Sequence, residues 1–141
     1  MKTLKELIEL GHEVTIVCKS YSSFCGSAME QWCIENKIRV LENDELYLEE
    51  NKTFLTKFDL GISNTYGCLI KKEMIEALHG RIFNIHSAPL PEYRGMFAYN
   101  WAIYNGEEEW GVTAHYIDEK FDTGNIIEIQ RFSINAEIIT V

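Results

Sequence analysis

The sequence predicts an α/β domain with a largely parallel sheet. Helix-period and strand-period segments alternate along the chain, the pattern in which helices cover a sheet of like-running strands. The 141 residues are 46% hydrophobic, enough for one packed core in a domain of ordinary size. No internal repeat, low-complexity tract or linker interrupts them, so one domain over 1–141 is expected.

Each element has a local reason. Leu4, Leu7 and Ile8 share a face of a helix expected over 2–10, with Gly11 as its stop. EVTIVC (13–18) is a strand. Ser27 caps a helix over 28–37, Glu30 completes a capping box, and Met29, Trp32 and Cys33 face inward. A short strand spans 38–41, and Asn43 caps a helix carrying Leu46, Phe54 and Leu55. FDLGIS (58–63) is a strand, and 71–78 a helix with Met74, Ile75 and Leu78 inward. A strand over 81–85 precedes His86, a helix over 97–104 ends at Gly106, and strands over 111–117 and 125–132 close the chain. Phe97, Trp101 and Tyr104 recur at helical spacing and read as core. Glu107–Glu109 read as a solvated turn, and neither His12 nor His79 needs a function.

Both prolines, Pro89 and Pro91, fall in one loop within FNIHSAPLPEYRG (83–95). Proline fixes φ and restricts the residue before it, so Ser-Ala-Pro-Leu-Pro (87–91) is expected to be stiff and extended. It follows the strand that delivers Asn84 and His86, which share a side because i and i+2 do. About thirty residues later, Asp122 stands in FDTG, a turn between two strands. Asn, His and Asp are what a reaction through a tetrahedral oxyanion needs. An amide donates to the developing charge, an imidazole shuttles a proton, and a carboxylate holds the imidazole charged. In doubly wound sheets ligands bind beyond the carboxyl ends of the strands, where these residues and the loop over 65–70 fall.

Four motifs in this order, NIH (84–86), APLPEYRG (88–95), GVTAHYID (111–118) and DTG (122–124), resemble the formyltransferases that use 10-formyltetrahydrofolate. That family includes methionyl-tRNA formyltransferase, glycinamide ribonucleotide formyltransferase and the sugar N-formyltransferases. The similarity runs from about Leu10 to Ile129. It implies the formyltransferase fold, a Rossmann-like, mostly parallel twisted sheet with helices on both faces. It also implies formyl transfer from 10-formyltetrahydrofolate to a primary amine, with Asn84 and protonated His86 stabilising the oxyanion and Asp122 supporting His86. No metal is required.

The resemblance further implies a folate pocket made mostly by backbone. Tyr66, Cys68, Leu69 and Ile70 would lie against the pterin, with Asp118 and Phe121 on its other side and Ala88, Pro89, Leu90 and Pro91 along its border. Tyr93, Arg94, Gly95 and Asn100 would meet the acceptor. Ser87 and Ala88 stand where the family commonly has Pro-Ser, which removes one hydroxyl contact. His115, alternating with Thr113, reads equally as acceptor lining or as packing. His86, His115, Asp118 and Asp122 form the one group that could suggest a metal, but no close ligand pair accompanies it.

For the acceptor, Tyr99-Asn100-Trp101 and Asp118-Glu119-Lys120-Phe121 are most similar to enzymes that formylate amino sugars on nucleotide carriers. Methionyl-tRNA or a purine precursor are the alternatives, and an inactive truncated homologue that still binds folate or a partner is another. The net charge of −9 weighs against a nucleic-acid substrate, whose phosphates reward a basic surface. No run approaches the roughly 20 apolar residues of a membrane span. The first residues carry dispersed charges and no apolar signal core. Cys18, Cys25, Cys33 and Cys68 form no Cys-x-x-Cys pair and read as reduced thiols of a cytoplasmic protein. A homodimer is compatible with these features. By resemblance the chain begins inside the family's first helix. It is therefore expected to lack the first strand, central in the family's sheet, and any C-terminal extension.

Overall fold

The computed structural model describes residues 2–20 and 27–134, so Cys25 lies outside the described residues. Two compact units are present. One runs to Lys52 and includes Tyr66–Cys68; the other comprises Thr53–Thr65 and the chain from Leu69 onward. The α/β class holds in both.

In the first unit, helix α1 (Lys2–Glu9) ends at Gly11, whose φ of 85° is the left-handed conformation glycine adopts freely. Strand β1 (Thr15–Cys18) pairs in parallel with β2 (Arg39–Glu42), Ile16 opposite Val40. Helix α2 (Ala28–Glu35) connects them, and the Ser27 hydroxyl accepts from Glu30 N at 3.1 Å, as expected of its cap. Cys18, Cys33, Leu41 and Leu46 are buried.

The single helix expected after Asn43 is instead two elements. A 3-10 helix (Asp44–Tyr47) ends at Leu48, which is extended at φ −71° and ψ 140°, and helix α3 (Glu49–Leu55) follows. Asn43 makes no cap. Its side-chain oxygen accepts from the Tyr66 hydroxyl at 2.8 Å. The corner is held by Asn51, which is buried, accepts from Arg39 at 2.7 Å and donates to the Glu45 carbonyl at 2.8 Å. A polar group so enclosed needs those partners.

In the second unit, β3 (Gly61–Asn64) pairs in parallel with β4 (Ile82–His86) across helix α4 (Lys72–Ala77). Strands β5 (Glu109–Tyr116) and β6 (Ile126–Ser133) extend the sheet antiparallel, in the order β3-β4-β5-β6. Helix α5 (Ala98–Asn105) precedes β5 and ends on Gly106.

Helix α5 corrects the sequence reading. Phe97, Trp101 and Tyr104 are 61%, 59% and 82% exposed, so they are not core. The buried face is Ala98 and Ala102, packed with Ala88 and Trp110. Small residues four apart let this backbone come close to its neighbours, and the large aromatics are left on the outside.

Candidate active site

Antiparallel pairing of β4 with β5 sets Asn84 opposite His115 and His86 opposite Thr113. A bulge between Ala114 and His115, where the partner strand skips a residue, interrupts the β5–β6 ladder. Bulges beside functional sites re-aim side chains. Here His115 is 2% exposed, with Nε2 3.3 Å from Asn84 Nδ2 and Nδ1 2.8 Å from the Tyr116 carbonyl.

Asp122 joins this group from the turn after β5. It sits at φ 53°, the left-handed region that aspartate tolerates better than most residues. Its Oδ1 lies 3.7 Å from His86 Nδ1 and 3.4 Å from His115 Nε2, and its Oδ2 accepts from the Gly95 N–H at 2.9 Å. The side chains of His86 and Asp122 are about one-tenth exposed. His86 Nε2 donates to the Tyr93 carbonyl at 2.8 Å, since a carbonyl only accepts. The structure thus brings Asn84, His86 and Asp122 together and adds His115, the Tyr93 carbonyl and the Gly95 N–H.

The proline loop is fastened from below. Thr113 Oγ1, fully buried, donates to the Ala88 carbonyl at 2.7 Å and accepts from Leu90 N at 3.0 Å. Trp110 Nε1 donates to the Ser87 carbonyl at 3.0 Å. Ala88, Pro89 and Leu90 are buried, Pro91 is exposed, and the Leu90–Pro91 bond is cis. Two backbone groups of this segment are therefore already committed to Thr113.

Other expected residues lie apart from the cluster. The Tyr93 hydroxyl donates to Glu107 and accepts from Asn105, and its ring packs 4.9 Å from Trp110. Arg94 and Asn100 are exposed, and neither side chain hydrogen-bonds to the cluster. Phe121 is 58% exposed. Asp118 closes its own loop, accepting from Lys120 N at 3.0 Å and from the Thr123 hydroxyl at 2.7 Å. Burial acts to raise the Asp118 carboxyl, but these bonds and the neighbouring Lys120 outweigh it and hold the group below the usual carboxylate range. Leu69 is exposed and Ile70 buried in the second unit, whereas Tyr66 and Cys68 belong to the first. Burial, with smaller contributions from Cys68 and Tyr47, pushes the Tyr66 hydroxyl well up. It also pushes up the Cys18 and Cys33 thiols. Among the described residues no three His, Cys, Asp or Glu side chains are arranged to hold a metal ion, and no helix is long and apolar enough to cross a membrane.

His115 was the residue the sequence left undecided. Its alternation with Thr113 put it on one face of β5, but only the register opposite Asn84 assigns that face to the cluster.

The comparisons agree with the fold. The family described as Formyl transferase matches residues 7–138, and the chain belongs to that family. It is 36% identical over 146 residues to a methionyl-tRNA formyltransferase of Thermodesulfovibrio yellowstonii, covering 96% of this chain and 47% of that protein. Its identity to the Lachnospira eligens methionyl-tRNA formyltransferase is 30% over 146 residues, covering 96% and 46%. The chain spans about half the length of these curated relatives. Among solved structures, a sugar 3N-formyl transferase crystallised in the presence of dTdp and 5-N-formyl-THF superposes with a TM-score of 0.74 at 30% identity, covering 94% of this chain and 47% of that one. The phosphoribosylglycinamide formyltransferase of Bacillus halodurans also gives 0.74, at 26% identity, covering 96% and 73%.

Proposed function

We propose that the chain transfers a formyl group from 10-formyltetrahydrofolate to a primary amine at the cluster of Asn84, His86 and Asp122. The observation that carries this reading is the approach of Asp122 Oδ1 to His86 Nδ1 at 3.7 Å, on the strand that also presents Asn84. The donor set suits a formyl group, combining an amide N–H, an imidazole and a carboxylate away from bulk water. When bound, 10-formyltetrahydrofolate supplies the activated formyl carbon.

Asn84 directs a side-chain N–H at the oxygen on which charge develops. His86 holds a hydrogen at Nε2, engaged by the Tyr93 carbonyl. Release of that bond presents the hydrogen to the reacting oxygen. Asp122 faces the other ring nitrogen and stabilises an imidazolium, so His86 can give a proton and regain one. The buried Ala88–Pro89–Leu90 segment borders the site by shape.

The acceptor we assign is an amino sugar on a nucleotide carrier, with the cytoplasm as its place. The net charge of −9 disfavours a tRNA partner, and the similarity to the sugar 3N-formyl transferase supports the assignment. Methionyl-tRNA is the second reading, favoured by the names of the curated relatives. The full chain is incubated with 10-formyltetrahydrofolate and, separately, a dTDP-linked amino sugar, methionyl-tRNA and glycinamide ribonucleotide, and N-formyl product is measured by mass spectrometry. Fastest formylation of the amino sugar is expected. Faster formylation of methionyl-tRNA would move the assignment to the second reading, and no product from any acceptor would overturn formyl transfer.

A further inference from the structure

We infer that His115 is a positioning residue that fixes which way the Asn84 amide faces. The Tyr116 carbonyl, 2.8 Å from Nδ1, can only accept, so Nδ1 carries the ring hydrogen. With the hydrogen on Nδ1, a neutral ring carries its lone pair on Nε2, where two groups face it: the Asn84 side-chain nitrogen at 3.3 Å and Asp122 Oδ1 at 3.4 Å. One amide hydrogen goes to His115 and the second stays free. Turned the other way, the amide would set its oxygen against the lone pair and offer an acceptor where the reaction needs a donor. At 2% exposure His115 has little water to compete for this bond.

The tautomer is itself held by the fold. A Cβ on Gly124 would stand 1.8 Å from the Tyr116 oxygen, so only glycine permits the turn to close beneath that carbonyl. Tyr116 N donates to the Asn125 carbonyl at 2.9 Å, fastening the same point. The competing state is the imidazolium, which keeps the hydrogen on Nδ1 and adds one on Nε2 that donates to Asp122 Oδ1, 3.4 Å away, with Asn84 turning its oxygen inward. The other ionisable groups near the ring are Asp118 and the imidazole of His86, whose centroid is 6.4 Å away.

The kinetic consequence rests on the formyl-transfer reading; the hydrogen bond does not. The test uses the full chain as wild type, His115→Leu and His115→Gln, because glutamine can place an acceptor oxygen near the Nε2 position. An oxyanion donor is worth about 10²–10³ in rate, so its disorientation is expected to lower kcat about 10-fold in His115→Leu with KM little changed. His115→Gln is expected to recover most of that loss. Long-range ¹⁵N–¹H spectra of the wild type should show hydrogen on Nδ1 and none on Nε2. An Nε2-protonated ring, a His115→Leu kcat equal to wild type, or a His115→Gln no better than His115→Leu would overturn the inference. Should His115→Leu fail to fold, the tautomer and His115→Gln still decide it. No turnover by the wild type would instead contradict formyl transfer, and the tautomer alone would then judge the hydrogen bond.

Discussion

The Gly95 N–H donates to Asp122 Oδ2 at 2.9 Å, tying the end of the proline loop to the turn between β5 and β6. One carboxylate oxygen is thereby committed to backbone, and the other faces the imidazoles of His86 and His115. Gly95 stands at φ 86°, a conformation that side chains rarely adopt. The Arg-Gly and Asp-x-Gly motifs are thus two ends of one contact.

Asp122→Asn keeps an acceptor for Gly95 but removes the charge facing His86. Formyl transfer should fall by about 10²–10⁴, the usual worth of an acid–base group, while the melting temperature changes little. Steady-state kinetics beside calorimetry separates the two. Unchanged kcat with native melting would mean that the carboxylate charge is not used.

Thr113→Val should be destabilising despite its matched shape. It leaves the Ala88 carbonyl and Leu90 N–H without their partner in a fully buried place, at about 1–3 kcal/mol for each group. Thr113→Ser retains the hydroxyl and should lose much less. Urea unfolding of both variants checks the order, and equal midpoints would contradict the role given to the hydroxyl.

Gly124→Ala would force its Cβ into the Tyr116 carbonyl. Overpacking typically costs about 1–3 kcal/mol, and backbone has little room to yield here. Beyond a lower melting temperature, the His115 ring signals should shift, because the displaced carbonyl is their partner. A variant with native melting and unmoved His115 signals would show that the turn relaxes without cost.

Asp118 is held below the usual carboxylate range, with bonds from Thr123 and Lys120 outweighing its burial. A depressed folded-state value contributes stability that is fully present above the unfolded value, about 4, and is lost as pH falls through the lower folded one. Thr123→Val removes a hydroxyl that donates to both carboxylate oxygens. Its melting deficit relative to wild type should be constant from neutral pH down to about 5 and shrink below about 4. A deficit that grows in acid would reverse the assignment.

Much of this was legible in the sequence, for local reasons. The strand ending in Asn-x-His and the Asp-x-Gly turn are each specified within a few residues, and Ser27 capped its helix as its type dictates. The proline segment, expected to be extended, instead turns at Leu90–Glu92, where Tyr93 N donates to the Pro89 carbonyl at 3.0 Å. What escaped was non-local. The spacing of Leu46, Phe54 and Leu55 read as one helix because nothing in the pattern shows that Leu48 is extended. The aromatics of α5 read as core because hydrophobic patterning weights size, whereas close packing there selects Ala98 and Ala102. His115 joined the cluster through the strand register and a bulge, both set by pairing between distant segments.

The most direct test is formyl transfer from 10-formyltetrahydrofolate to the amine acceptor by the full chain, wild type against His86→Ala. His86 combines a ring nitrogen facing Asp122 with a second one bearing a hydrogen engaged by the Tyr93 carbonyl. Turnover by the wild type is expected, with a loss of about 10²–10⁴ in kcat for His86→Ala. Donor affinity should change by no more than a few-fold. A natively folded His86→Ala variant that turns over at the wild-type rate would contradict that expectation.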